Sequence, residues 1–205
     1  MKTPILVLLS ALLLAACGSV FQTKEVTATV YELKASPVEA APARLAATLR
    51  VARPRARPGL DTDRIAVTFP DRRLDAYGGS RWSAALPTLV ESLLIEGLRE
   101  SGGWTAVVPE HTAFGGDYLL QPEIESFEAD YSAGGPPTIR VHLRAELGLH
   151  AEHRLLAAPE ATSAVRATAD RQREVIEAFE SAYGQAASAL IKAINAAAAA
   201  PKPAS

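Results

Sequence analysis

Ile139-Arg140-Val141-His142-Leu143-Arg144-Ala145-Glu146-Leu147-Gly148-Leu149-His150 alternates apolar and charged residues over its whole length. Successive side chains of a strand point to opposite faces, so this pattern describes a strand with one face buried and one in water. Such strands belong to antiparallel sheets covered on one side only. Working outward, Gly134-Gly135-Pro136-Pro137 turns the chain before it, and the extended stretch Asp117 to Tyr131 precedes that turn. On the other side, Ala157-Ala158-Pro159 turns the chain again and Ser163 to Ala169 reads as a shorter strand. The second half is therefore a meander.

A long helix closes it, from Arg171 to Ala196. Val175, Ile176, Phe179, Ala182, Tyr183, Ala186, Leu190, Ile191 and Ile194 form one apolar stripe, with Glu174, Glu177, Glu180, Gln185, Lys192 and Asn195 opposite. A second helix spans Ser83 to Ser101, with Leu86, Leu89, Val90, Leu93, Leu94 and Leu98 at helical spacing. Pro87 suits its first turn, and Gly102-Gly103 ends it. Further strands are expected at Val26 to Leu33, Leu45 to Val51, Arg64 to Phe69 and Trp104 to Val108. A short one at Leu74 to Tyr77 is ended by Gly78-Gly79. These elements give an α/β (α+β) fold, a two-layer sandwich with an antiparallel-rich mixed sheet and two amphipathic helices on one face.

Between two of the strands lies Arg50-Val51-Ala52-Arg53-Pro54-Arg55-Ala56-Arg57-Pro58-Gly59. Its prolines and arginines favour an extended, exposed connection. Two readings stay open for it. The arginines attract anionic headgroups or an acidic partner, or they form a solvated loop pinned by Leu60 and neutralised by Asp61 or Asp63.

The N-terminus sets the compartment. Met1-Lys2, the apolar run Ile5 to Leu14 and the small residues Ala15-Ala16 before Cys17 describe a secretory signal over residues 1–16. The run is shorter than the roughly 20 residues a membrane-spanning helix needs. Leu14-Ala15-Ala16-Cys17-Gly18 resembles the lipobox of bacterial lipoproteins, which implies lipidation of Cys17. Residues 17–24 then form a tether to a domain over 25–196, followed by a disordered tail over 197–205. Gly18 stands where an Asp retains relatives at the inner membrane. The resemblance thus implies outer-membrane anchoring with the domain facing the periplasm. Cys17 is the only cysteine, so hydrophobic packing without disulfides holds the domain.

The formal net charge of −2 excludes the basic surplus expected of a nucleic-acid binder. Walker A, G-x-S-x-G, G-x-G-x-x-G and H-E-x-x-H motifs are all missing, and no enzyme and no cofactor is expected. His150 and His153, three apart on a strand, would point to opposite faces and not converge on a metal. Glu123 and Glu125 share a strand face but lack a base or nucleophile beside them. Trp82 and Trp104 flank the first helix and are expected to pack its ends into the core.

From Leu49 to Val108 the order of blocks resembles the ABC-type transport auxiliary lipoproteins, the PqiC-like family. The carrying residues are Arg50 to Pro54, then Pro58-Gly59-Leu60-Asp61-Thr62-Asp63-Arg64-Ile65-Ala66-Val67, Tyr77, Arg81-Trp82 and the leucine helix. Tyr31-Glu32-Leu33 supplies the Y-x-L strand. The resemblance implies a non-catalytic component of an MCE-type lipid-transport system, with an MCE-domain protein as partner and a homo-oligomer left open. The alternative is a structural or regulatory lipoprotein binding cell-wall machinery. For docking the partner, the candidates are Arg53, Arg55, Arg57, Leu60, Asp61 and Arg64.

Overall fold

The computed structural model describes residues 28–35 and 37–200. The signal sequence, Cys17 and the whole tether lie outside the described residues. The strands are β1 (Thr29–Tyr31), β2 (Leu45–Val51), β3 (Arg55–Ala56), β4 (Arg64–Thr68), β5 (Leu74–Trp82), β6 (Trp104–Pro109), β7 (Tyr118–Asp130), β8 (Thr138–Leu149), β9 (Arg154–Ala157) and β10 (Glu160–Arg166). The helices are α1 (Leu86–Glu100) and α2 (Gln172–Ala199).

All ten strands belong to one sheet, and β7 is its spine. Along one edge β7 pairs in turn with β2, β3 and β4, all parallel. Along the other it pairs antiparallel with β8 from Tyr118↔Leu149 to Asp130↔Thr138. The far edge of β8 takes β10 and then β9, both antiparallel. The sheet is extended by β6 beside β2 and by β5 and β1 beyond β4. The long ladders are antiparallel and the short ones mostly parallel, so the mixed sheet and the α+β class are as the sequence indicates.

The alternation of β8 sets the two layers. Ile139, Val141, Leu143, Ala145 and Leu147 are buried and join one apolar cluster with both helices, and Leu149 is buried at the end of the strand. At its centre, Phe179 of α2 stacks on Phe127 with ring centroids 5.3 Å apart and meets the edge of Trp82 at 5.3 Å. Where the helices meet, Gly97 leaves no room for a side chain. A Cβ there would lie 2.7 Å from Ile191 Cδ1. Trp82 and Trp104 are both buried, as expected for residues at the ends of α1.

Several boundaries differ from the sequence reading. Gly78-Gly79 does not end β5, which runs on to Trp82 with Gly79 at φ 69°. Glycine tolerates that left-handed backbone, so the strand kinks and continues. β9 was not anticipated, and β10 starts at Glu160 instead of Ser163. The closing helix runs to Ala199, and Ala198 is buried, so residues 197–199 are helix and not tail. Alanine is the best helix former, and the tract has an apolar surface to pack on.

Candidate docking surface

The arginine segment is a strand and not merely a connection. Arg53, Arg55 and Arg57 are exposed, while Pro54 is buried and Ala56 half-buried. The repeat Arg-Pro-Arg-Ala-Arg thus has the two-residue period of a strand, with guanidinium groups on the outer face. Pro54 falls where the register against β7 slips by one residue, between Val51↔Leu120 and Arg55↔Glu123. Ala52 N–H donates to Leu120 O at 2.8 Å before it and Arg57 N–H to Ile124 O at 3.2 Å after it. Proline lacks an N–H and is tolerated at such an irregularity.

After β3 the chain makes a short excursion, residues 58–63, that is held at both ends. Leu60 is buried and its N–H donates to Arg57 O at 3.0 Å. Thr62 O accepts from Leu86 N–H at 2.9 Å, and Asp63 O accepts from Trp82 N–H at 2.7 Å. The segment is therefore fixed to the start of α1 and the end of β5. Burial of Leu60 removes it from any partner contact and makes it the anchor of this loop.

Charges on the outer face are matched locally. Arg53 pairs with Asp61 at 2.9 Å, and Arg55 with Glu123 at 3.6 Å. Arg57 donates to the Glu125 carbonyl oxygen at 3.2 Å. Arg64 turns to Asp75 of β5 at 3.7 Å and does not join Arg53, Arg55 and Arg57. Arg144 meets Glu125 at 3.7 Å, so the acidic residues of β7 serve as ion-pair partners. These pairs are exposed, and each contributes about 0–1 kcal/mol. Such contacts orient the arginines and offset part of the charge of Arg53 and Arg55.

Beside Arg57 lies a cleft of about 170 Å³, lined by Pro58, Leu60, Arg72, Leu74, Glu125 and Glu128 among others. Burial pushes the Glu128 carboxyl above its ordinary range, against the opposing pull of Arg57. Neighbouring Asp130 behaves differently. Desolvation raises it, but the hydrogen bonds from Ser132 and Arg140 hold it below the usual carboxylate range. Arg72 is in the left-handed region at φ 66° at the tip of the β4–β5 turn. That turn is braced by Phe69 stacked on Tyr131, whose hydroxyl donates to Asp170 at 2.6 Å. Arg72 and Leu74 were not singled out as site residues from the sequence. They meet Glu128 only because β4, with β5 beyond it, lies beside β3 on the spine strand.

His150 and His153 are not on a strand, since β8 ends at Leu149. They fall in the β8–β9 turn and line one hollow of about 390 Å³ together with Leu119, Glu146 and Leu155. The expected separation onto opposite faces therefore does not hold. Among the described residues no group of three or more His, Cys, Asp or Glu side chains is placed to hold a metal. No helix among them is long and apolar enough to cross a membrane.

A profile of the family described as ABC-type transport auxiliary lipoprotein component matches residues 31–191. The chain belongs to that family. The match runs from Tyr31 of β1 almost to the end of α2, so the whole sandwich is the auxiliary lipoprotein domain. A solved structure from Xanthomonas campestris, assigned to the DUF330 family, is similar to this auxiliary lipoprotein. It shows 26% identity and a TM-score of 0.77, covering 83% of this chain and 97% of the other. A second solved structure, of an uncharacterized protein, shares the fold at 16% identity and a TM-score of 0.62, covering 82% and 99%. No curated protein matches the chain. The auxiliary lipoprotein is thus a component of an ABC-type transport system, non-enzymatic in kind, and anchored to a membrane as a lipoprotein.

Proposed function

We propose that this auxiliary lipoprotein is anchored through a lipid on Cys17 to the outer membrane, faces the periplasm, and docks the MCE-domain protein of an ABC-type lipid transporter. Phospholipid or sterol is the cargo in this reading. The observation that supports docking is the file of Arg53, Arg55 and Arg57, exposed at two-residue spacing beside a loop, residues 58–63, that is held at both ends. A preorganised cationic file meets an acidic partner with little ordering cost. Asp61 and Arg64 flank it, and Leu60 holds it from beneath.

Changing Arg53, Arg55 and Arg57 together to Ser tests this. The variant is expected to fold and localise normally, because all three side chains are exposed. Co-purification of the MCE-domain protein from detergent-solubilised envelopes should fall by roughly tenfold or more, since charges at a rim act on encounter rate and salt dependence. Undiminished capture at moderate salt would retire the docking role. Recovery of a cell-wall synthase in place of an MCE protein would favour a wall-associated lipoprotein.

Anchoring has its own test. Cys17→Ser removes the only thiol in the chain. Loss of the acyl chains removes about 0.8 kcal/mol of membrane affinity per buried CH₂. The variant should leave the outer-membrane fraction, as a soluble form or an uncleaved precursor. Unchanged outer-membrane residence would contradict the assignment.

A further inference from the structure

Edge strands normally carry a device that prevents pairing with another chain, such as a lysine, a proline or a bulge. β10 has none of these three, and α2 packs on one of its faces, where the Ser163 hydroxyl donates to Gln185 Oε1 at 2.9 Å. Among the described residues it pairs only with β8, and its register runs from Glu160↔Arg144 to Arg166↔Thr138 without a shift. The ladder parity shows which backbone groups are free. Ala145 N–H donates to Pro159 O and Ala167 N–H to Pro137 O, both at 2.9 Å. Odd-numbered residues of β10 therefore bond β8, and the N–H and C=O groups of Glu160, Thr162, Ala164 and Arg166 point outward. Between the two terminal charges the strand reads Ala161-Thr162-Ser163-Ala164-Val165, with no charge at all.

The ends of this strand carry opposite charges, and one of them lacks a partner. Arg166 donates to the Gly134 carbonyl at 3.0 Å, but among the described residues no carboxylate lies within ion-pair distance of it. Glu160 is exposed and reaches Arg144 and His142 only at 3.6 Å each. From this edge and these charges we infer that β10 is the pairing strand for a second copy of this chain, antiparallel and centred on Ser163.

In that register Glu160 of each copy faces Arg166 of the other, and Thr162 faces Ala164. All four outward-facing residues are then paired residue for residue, and the two ion pairs close symmetrically, as a two-fold interface requires. Sliding the register by two residues in either direction leaves both Glu160 and Arg166 opposite uncharged residues. Parallel pairing in register sets Glu160 against Glu160. Only the antiparallel arrangement about Ser163 satisfies backbone and charge together. The surface is remote in sequence from β3 and does not depend on the docking assignment above.

Charge reversal gives a test specific to this register. The full chain in detergent is expected to sediment as a dimer. E160R places two Arg pairs in opposition, and R166E two Glu pairs. Each should weaken self-association by roughly tenfold or more, since like charges directly opposite are unfavourable. An equimolar mixture of E160R and R166E restores both ion pairs and should recover the dimer as a heterodimer. Thermal unfolding of each variant checks that the exposed changes leave the fold intact. The proposal is overturned if the unaltered chain is monomeric at micromolar loading. It is equally overturned if its assembly ignores both reversals, or if the mixture fails to recover what each variant loses.

Discussion

Phe179→Ala is expected to destabilise the domain by about 3–5 kcal/mol, the range for removing a fully buried aromatic side chain. Phe179 is at 0% exposure on α2 and is the ring through which the helix reads the sheet. It stacks on Phe127 at an interplanar angle of 18°, meets Trp82 at 85°, and Trp82 in turn meets Phe127 at 6.0 Å. Three mutually touching rings from β5, β7 and α2 cannot all move to fill the space one of them leaves. At about 2–4 °C per kcal/mol for a domain of this size, the melting temperature should fall by roughly 6–20 °C. Lys192→Ala on the opposite face is the control. Its ammonium pairs with Glu39 at 2.8 Å, with both side chains about two-thirds exposed, and such a pair contributes about 1 kcal/mol or less. Equal losses for the two variants by chemical denaturation would mean that the faces of α2 are assigned wrongly.

Asn195→Leu should cost nearly as much for a different reason. Asn195 is buried, and its side chain joins two distant parts of the molecule. The Trp104 indole N–H donates to Asn195 Oδ1 at 2.9 Å, and Asn195 Nδ2 donates to Ser101 Oγ at 3.1 Å. The Ser101 hydroxyl in turn donates a hydrogen bond to Leu98 O at 2.8 Å. This small network ties α2 to the end of α1 and the start of β6. Leucine has similar volume but leaves the indole N–H without an acceptor and Ser101 Oγ without a donor. Each buried orphan costs about 1–3 kcal/mol, so a loss of roughly 2–5 kcal/mol is expected. Adding Trp104→Phe to Asn195→Leu removes the orphaned donor. The double variant should therefore be less destabilised than the sum of the singles. Strict additivity in that cycle would show that the hydrogen bond contributes nothing.

The sequence made these two cases unequally visible. Phe179 sits on an apolar stripe of helical period, and a period is a local property that any window of residues reveals. Asn195 lies at a place in the helix where the sequence suggests the polar face, and only the approach of Trp104 converts it into a core residue. β8 was legible because one face is buried and the other wet. β3 was not, because Pro54 and Pro58 read as breakers, and the register slip that accommodates Pro54 is set by the distant strand β7. The cleft beside Arg57 was not legible at all. Its walls come from β3, the β4–β5 turn and β7, and no local pattern announces that Arg72 and Glu128 will lie together. Cys17 shows the converse. Its proposed lipidation rests wholly on the sequence, because it falls outside the described residues.

The use of β7 as a common spine has a consequence for how the chain reaches this structure. Contacts such as Thr48 with Asp117 and Arg57 with Glu125 join residues 69 and 68 positions apart. Synthesis delivers β1 to β5 long before the strand that must align them. Until residues 118–130 emerge, β2, β3 and β4 have no common strand on which to align, although β4 can already pair with β5 and β2 with β6. The β7–β8 hairpin closes through a short turn and can form early, whereas closing loops of this length is a slower, entropically costly step. Folding is thus delayed to the second half of the chain by topology alone. A protein that must cross a membrane before it folds gains from such a delay, because the leading half stays threadable until the trailing half arrives.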